Sequence, residues 1–154
     1  MRAVLQRVSR ASIDIDHSEH YDLPNGGLVV LFGVEEGDRA DYVPAFCQKI
    51  ANLRIFEDQA GKLNLSLLDR DLGVLAVPNF TLAADCAKGR RPSFGRSAAP
   101  DFARQCFLDL VQGFTQLGVS PTVSGRFGSD MQIELVNDGP VTIVLDSKDI
   151  IRGA

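Results

Sequence analysis

The chain has few of the residues from which most enzyme active sites are built. Its 154 residues include no tryptophan, two histidines and three cysteines. No two cysteines have C-x-x-C spacing, and the motifs G-x-S-x-G and H-E-x-x-H are absent. Three widely spaced cysteines exclude a disulfide scaffold and favour free thiols in a reducing, cytoplasmic compartment. With so few histidines, the chain offers little basis for a nucleophile paired with a histidine base.

Long apolar runs and a strong net charge are also missing. No segment approaches the roughly 18 apolar residues of a membrane span, and Arg7 and Arg10 interrupt the apolar core that a signal peptide needs. The formal net charge is −4, so the whole molecule is not a polycation that binds nucleic acid through charge alone. A hydrophobic fraction of 45% over 154 residues predicts one soluble globular domain spanning residues 1–154.

The hydrophobic pattern predicts several strands. Apolar residues alternate along residues 2–15, which predicts a long strand with a bulge. Continuous apolar runs at 28–32 and 73–77 predict strands that are covered on both faces. Shorter runs predict further strands at 53–56, 62–65, 131–135 and 141–145.

Two helices are predicted between these strands. Asp41 is a candidate cap for the first, which has Pro44 in its first turn. The second runs from near Pro100 to Gly118. This alternation of strands and helices indicates one α/β domain with mixed or antiparallel sheets and two main helices packed on one side.

Polar residues directly after the strand at 73–77 form the first candidate site. The segment Pro78, Asn79, Phe80 and Thr81 places an amide and a hydroxyl group where a rigid strand end can aim them. An ordinary strand end with a threonine in the turn fits the same pattern.

A second candidate is the segment from Asn137 to Pro140. Gly139-Pro140 between two strands is an ordinary turn signal. The bond before a proline can also be cis, in which case it is a fixed feature that points backbone carbonyls in an unusual direction.

A local basic cluster contrasts with the acidic whole. Lys88, Arg90, Arg91 and Arg96 lie within nine residues, and no acidic residue occurs between Asp85 and Asp101. A solvated loop would look the same, but the cluster also suits contact with the phosphates of a nucleic acid.

The two histidines lie in the polar segment after the first strand. His17 and His20 form H-x-x-H beside several carboxylates, which is a conceivable metal site. A solvated hairpin tip is favoured, because metal ligands on an irregular loop would need fixed geometry. No metal and no cofactor are therefore predicted.

Several ordered segments together resemble the D-aminoacyl-tRNA deacylase family over almost the whole chain. These segments are 1–9 (MRAVLQRVS), 52–58 (NLRIFED), 61–66 (GKLNLS), 88–94 (KGRRPSF), 127–131 (FGSDM) and 136–142 (VNDGPVT).

The resemblance implies a barrel-like fold and a cytoplasmic homodimer that hydrolyses the ester of a D-amino acid, or of glycine, on tRNA. It implies an active site at the subunit interface, where a cis Gly139-Pro140 pair enters the partner's pocket and excludes L side chains. Arg7 is then expected to brace this pair.

Further roles follow from the same resemblance. Phe127 and Met131 match positions that line the adenosine and aminoacyl pocket, and Asn137 is expected beside them. Thr81 matches the family's candidate nucleophile. Without a base beside it, a positioning role is favoured, with the backbone N–H groups near Phe80 holding the oxyanion.

The sequence departs from the family at one motif. The usual Ser-Gln-x-Thr is here Pro78-Asn79-Phe80-Thr81. Proline at this position resembles a related branch that removes L-alanine from mischarged tRNA. Two alternatives therefore stand beside a D-specific deacylase, namely an editor with relaxed chirality and a non-catalytic module that binds tRNA ends.

Overall fold

The computed structural model describes residues 1–151. The strands are β1 Arg2–Ile15, β2 Glu19–Leu23, β3 Gly27–Gly33, β4 Phe56–Glu57, β5 Leu63–Leu65, β6 Gly73–Pro78, β7 Thr122–Ser124 and β8 Met131–Asp146. The helices are α1 Val43–Asn52, α2 Pro100–Gln116 and α3 Ser147–Ile150, and short 3-10 turns cover Ala40–Tyr42 and Phe80–Ala83. No helix in this part of the chain is long and apolar enough to cross a membrane.

The main sheet is mixed and has six strands. Strands β1, β3, β6 and β7 lie side by side in that order. One edge of β1 pairs with β3 along residues 2–8 and with β2 along residues 11–15, and its other edge pairs with β8. The β1 pairs are antiparallel, whereas β3–β6 and β6–β7 are parallel. The first strand therefore joins both halves of a strongly curved, barrel-like sheet, as the sequence predicts.

Two apolar cores lie on opposite faces of this sheet. Helices α1 and α2 pack on one face, with Phe46 and Phe114 completely buried against β1, β3 and β6. The other face is filled by a second set of apolar residues, among them Ile13, Val29 and Leu75. Strands β3 and β6 are covered on both faces, which confirms the interpretation of their continuous apolar runs.

Several details differ from the predictions, among them the strand expected at 53–56, which covers only Phe56–Glu57. Residues 131–146 form one strand rather than two, because the Gly139-Pro140 segment bulges out without ending it. The polar segment 19–23 is a strand, paired through its backbone with residues 11–15. Asp41 does not cap α1, since it lies in the preceding 3-10 turn and pairs with Arg39 instead.

Candidate active site

A cavity of about 560 Å³ opens at the end of β6. Parallel strands β3 and β6 end there together, so the turns that follow them share one edge of the sheet. Helix α2 and the segment before β8 form the other walls. The site predictions that fall on this lining are Pro78, Asn79, Phe80, Phe127 and Met131. The structure therefore brings together three residues of the 78–81 motif and two residues of the predicted substrate pocket.

Asn79 organises the turn after β6. Its backbone N–H donates to Phe32 O at 2.8 Å, which ties the turn to the end of β3. Its side-chain Oδ1 accepts from Thr81 N at 3.1 Å and from the Thr81 hydroxyl. Asn79 thus caps the 3-10 turn Phe80–Ala83, as a short polar side chain does at a helix start.

Thr81 is held by this cap and is not activated by it. Its hydroxyl proton points to an amide oxygen, which is not a base at neutral pH. Thr81 is exposed and lies outside the cavity lining, unlike its neighbours in the motif. The geometry gives the hydroxyl no proton acceptor of the kind that nucleophilic catalysis requires.

Aromatic rings form the mouth of the cavity. Phe80 and Phe94 pack edge to face with ring centroids 5.2 Å apart, and 56% of Phe80 is exposed. On the opposite wall, the guanidinium of Arg104 lies 5.6 Å from the centre of the Phe127 ring. Exposed aromatic faces of this kind suit the stacking of a nucleobase.

The Gly139-Pro140 segment forms an exposed bulge on β8. Gln6 pairs with Thr142 and Val8 with Asn137, so four residues of β8 lie opposite the single residue Arg7. The bond between Gly139 and Pro140 is cis, and both residues are exposed. Neither residue lines the cavity of its own chain.

Arg7 anchors this bulge from below. Its side chain is only 5% exposed, and Nη1 donates to Ile55 O at 2.8 Å. Nε donates to Asp138 O at 3.2 Å and pairs with the Asp138 carboxylate at 3.0 Å. A Cβ added to Gly139 would lie 3.0 Å from Arg7 Nη2. The guanidinium therefore fixes the strand next to the glycine.

Asn137 stands at the foot of the same bulge. Its Nδ2 donates to Val141 O at 3.4 Å across the bulge. Its Oδ1 is buried and accepts no hydrogen bond from the residues that the structure describes. Asn137 lies outside the cavity lining, so it shares a region with Arg7 rather than with Phe127.

Residues 84–99, called the basic loop here, join the turn to α2. Lys88, Arg90 and Arg91 are exposed and make no ion pair with any residue in 1–151. Arg96 differs, since its guanidinium pairs with Glu35 at 3.0 Å. Of the four side chains predicted to contact phosphates, three therefore extend into solvent, while that of Arg96 is already paired with Glu35.

The two histidines lie on the β1–β2 hairpin. His20 bonds Asp14 and Asp22 at 2.7 and 3.2 Å, and the hydrogen bond with Asp14 raises the pKa of its imidazole. His17 faces Asp130 at 3.5 Å. Across residues 1–151, no three side chains of the His, Cys, Asp and Glu types are grouped as metal ligands.

The three cysteines are free. Cys86 is exposed in the basic loop, whereas Cys47 and Cys106 are buried between the helices and the sheet. Burial raises the pKa of each buried thiol to about 11. Both stay protonated at neutral pH and serve as small apolar side chains.

Comparison with known sequences decides the family. The model of the family described as D-Tyr-tRNA(Tyr) deacylase matches residues 4–146. The chain belongs to this family. A protein of Geobacter sulfurreducens named D-aminoacyl-tRNA deacylase is 47% identical over 148 residues, which cover 96% of each chain. One of Geobacter metallireducens with the same name is 48% identical and covers 99% of this chain and 100% of its own.

Two solved structures share the fold of this chain. A structure titled c-Myc DNA Unwinding Element Binding Protein is 34% identical, with a TM-score of 0.85 over 95% of this chain and 98% of its own. A probable eukaryotic D-amino acid tRNA deacylase has a TM-score of 0.80 over 94% and 97% of the two chains. At 15% identity, the second shares the fold alone.

Three residues at or near the cavity are missed by sequence reasoning. Ser97 lines the cavity, and its hydroxyl donates to Phe80 O at 3.2 Å. Phe94 packs edge to face against Phe80, and Glu35 pairs with Arg96. Phe94 lies at the end of the 88–94 segment, but sequence gives no sign of its contact with Phe80. Ser97 and Glu35 belong to no recognisable motif.

Proposed function

We propose that this protein hydrolyses the ester bond of D-aminoacyl-tRNA and releases the free D-amino acid and tRNA. The observation that carries the proposal is the cavity at the end of β6, where the Pro78–Phe80 turn meets Phe127 and Met131. Relatives that are 47–48% identical over nearly the full chain are named D-aminoacyl-tRNA deacylases, which supports the same hydrolase activity here.

The cavity suits the end of a charged tRNA. Its volume of about 560 Å³ lies within the range of small-molecule sites, roughly 300–1,000 Å³. Phe127 and Met131 offer apolar contacts for the terminal adenosine and the aminoacyl group. The edge-to-face rings of Phe80 and Phe94 stand at the mouth, where an unpaired base can lie against them.

Catalysis is assigned to the backbone of the turn and to the substrate. The N–H of Phe80 is the candidate oxyanion donor, because that of Thr81 is occupied by Asn79. One such donor supplies about 3–4 kcal/mol to an acyl-transfer transition state. The neighbouring ribose hydroxyl of the substrate helps to activate water, and Thr81 positions the turn through its bond to Asn79.

The selection of D-amino acids over L-amino acids is assigned to the exposed bulge on β8. In a homodimer, Gly139 and Pro140 of one copy enter the cavity of the other, and their carbonyl oxygens fill the space that an L side chain needs. The bulge is exposed and does not line its own cavity, which supports a role toward a second copy. Glycyl-tRNA, which lacks a side chain, is then accepted together with D-aminoacyl-tRNA.

The basic loop is assigned to the tRNA backbone. Lys88, Arg90 and Arg91 are exposed on the segment that also carries Phe94. Phosphate contacts of this kind position a nucleic acid without reading its sequence, and they weaken with salt. A brief, salt-sensitive contact suits an enzyme that must release its product.

The test is hydrolysis of D-Tyr-tRNA and L-Tyr-tRNA under the same conditions. The expected result is rapid loss of the D-ester, with the L-ester decaying at the rate seen in buffer. If the D-ester is lost no faster than in buffer, the proposal is wrong.

Pro78 favours a second candidate, an editor with relaxed chirality. It lines the cavity where the family has a serine. This candidate predicts measurable cleavage of L-alanyl-tRNA, which strict D-selectivity would exclude. A non-catalytic module that binds tRNA ends instead predicts salt-sensitive tRNA binding without turnover, and a gain of activity in Pro78→Ser/Asn79→Gln.

A further inference from the structure

The basic loop is attached to the rest of the chain on the side of the cavity. Its Asp85 and Ser93 form a short antiparallel bridge, and Ser97 forms another with Glu35. Arg96 O accepts from Glu36 N at 2.9 Å, and Ala98 N donates to Val34 O at 3.0 Å. Because Phe94, Ser97 and Ala98 line the cavity, the position of this loop determines the shape of one wall.

The carboxylate of Glu35 lies between two guanidinium groups. Its Oε2 is 3.0 Å from Arg96 Nη2, and its Oε1 is 3.2 Å from Arg2 Nη1. Only 18% of the Glu35 side chain is exposed, so solvent screens these pairs less than pairs on the open surface.

Arg2 continues the connection to the turn after β6. The same Nη1 donates to Leu82 O at 2.8 Å, and Nη2 pairs with Asp146 at 2.9 Å. Leu82 belongs to the 3-10 turn that begins at Phe80. A chain of charged contacts thus runs from the basic loop through Glu35 and Arg2 to the segment that holds the candidate oxyanion donor.

We propose that Glu35 is a positioning residue that holds the basic loop and the Phe80–Ala83 turn in one arrangement through Arg96 and Arg2. The proposal rests on the proposed function, since that function makes the turn and the loop two walls of one reaction site. It also divides the cationic side chains of the loop into two groups. Lys88, Arg90 and Arg91 contact tRNA, whereas Arg96 positions the wall.

The kinetic test compares Glu35→Gln with Glu36→Gln. Both variants replace one carboxylate by an amide in the same segment, but Glu36 is exposed and forms no ion pair with residues 1–151. Glu35→Gln should lower kcat on D-Tyr-tRNA by about fivefold, the factor that corresponds to a lost ion pair of ~1 kcal/mol. The Kd for tRNA should stay within about twofold, and Glu36→Gln should match the wild type.

Substitutions of the arginines separate positioning from binding. Arg96→Ala should reproduce the lower kcat of Glu35→Gln, and the double variant should be no worse than either single one, because both remove the same contact. Arg96→Lys should recover most of the kcat. Arg90→Ala/Arg91→Ala should instead raise the Kd and reduce its dependence on salt.

Limited digestion with trypsin tests whether Glu35 holds the basic loop in place, and it needs no measurement of enzyme activity. Lys88 and Arg90 offer exposed cleavage sites in the loop, while the bond after Arg91 is protected by Pro92. Cleavage in Glu35→Gln should be about fivefold faster than in the wild type and in Glu36→Gln.

Two outcomes separate this proposal from the proposed function. Equal kcat and equal digestion rates for Glu35→Gln and Glu36→Gln would overturn the role of Glu35. If the wild type does not cleave D-Tyr-tRNA but Glu35→Gln is digested faster than the wild type, the proposed function fails while the role of Glu35 in holding the basic loop is supported.

Discussion

The turn at residues 78–83 and the bulge at residues 138–141 carry different parts of the candidate site. The turn follows a buried parallel strand and borders a cavity of its own chain. The bulge leaves an antiparallel strand at the surface and does not line that cavity. The turn is thus part of a concave surface, whereas the bulge is a projection from the surface. If the proposed function holds, the difference teaches that the two regions are complementary parts of one site, which a single chain carries in separate places.

The largest expected effect is a change in stereospecificity, which is tested by mixing two variants. Gly139→Ala alters the projection, because a Cβ there would lie 2.9 Å from Val141 Cγ2 at a φ of +117°. Ser129→Trp fills the cavity that Ser129 lines. Gly139→Ala should cleave L-Tyr-tRNA, and coexpression with about a tenfold excess of Ser129→Trp should suppress that cleavage roughly tenfold.

The mixture shows whether the bulge acts on the cavity of the other copy or on the cavity of its own chain. In a mixed dimer, the open cavity of Gly139→Ala receives the intact projection of Ser129→Trp. Cleavage of D-Tyr-tRNA should therefore persist while cleavage of the L-ester falls. An L-ester rate that does not change on mixing would mean that the bulge acts within its own chain.

A smaller effect, a loss of stability, is expected when Arg7, which supports the projection, is replaced. Arg7→Met keeps an apolar stem but leaves Ile55 O without its donor and frees Asp138. The free energy of unfolding, measured in urea, should fall by about 2–4 kcal/mol.

The matched control for this loss is Arg10→Met on the same strand. Arg10 is exposed and pairs with no carboxylate in the described part of the chain. It should change stability by less than about 0.5 kcal/mol. Arg7→Met should also raise L-ester cleavage, and equal behaviour of the two variants would contradict a bracing role for Arg7.

A moderate effect is expected in the turn. Thr81→Ala removes one hydrogen bond to Asn79 and should lower kcat about tenfold. Loss of a nucleophile would instead lower kcat by a factor on the order of 10⁴ or more. Thr115→Ala, at an exposed position of α2, is the control. An acyl-enzyme seen by mass spectrometry would refute the positioning role.

The smallest effect is expected on the histidine hairpin, which lies apart from both regions. Hydrogen bonds with Asp14 and then Asp22 raise the pKa of His20 above its unfolded value of about 6.5. Its stabilisation is therefore fully present below pH ~6.5 and is lost as the pH rises through the raised pKa. Tm measured from pH 5 to 9 should show this loss in the wild type and not in His20→Gln.

Activity provides the control for the hairpin experiment. His20→Gln should cleave D-Tyr-tRNA at the wild-type rate, because His20 contacts neither the cavity nor the bulge. A pH-dependent Tm difference of the opposite sign would contradict the assignment of the two carboxylates.

The sequence predicts the helices and buried strands well because each depends on local apolar spacing. Pro100 begins α2 and Gly118, with a φ of +86°, follows it as expected. Strand β2 is missed because its side chains are almost all polar and exposed. It forms because β1 supplies a complete set of backbone partners, which no local pattern records.

The candidate site is predictable only in part, for the same reason. The residues of the 78–81 motif follow a buried strand, so their shared edge can be expected from the chain alone. The contact of Arg7 with Asp138 spans 131 positions, and that of Arg96 with Glu35 spans 61. Such contacts depend on which strands become neighbours, and alternation of polar and apolar residues does not specify this.

The pairing of the first strand with the last described strand has a consequence for synthesis on the ribosome. One edge of β1 can join β3 early, but its other edge waits for β8. Because Arg7 meets Asp138 only in that pairing, the projection forms after residues 131–146 have been translated. A growing chain therefore contains the cavity residues before it contains the segment that is proposed to exclude L-amino acids.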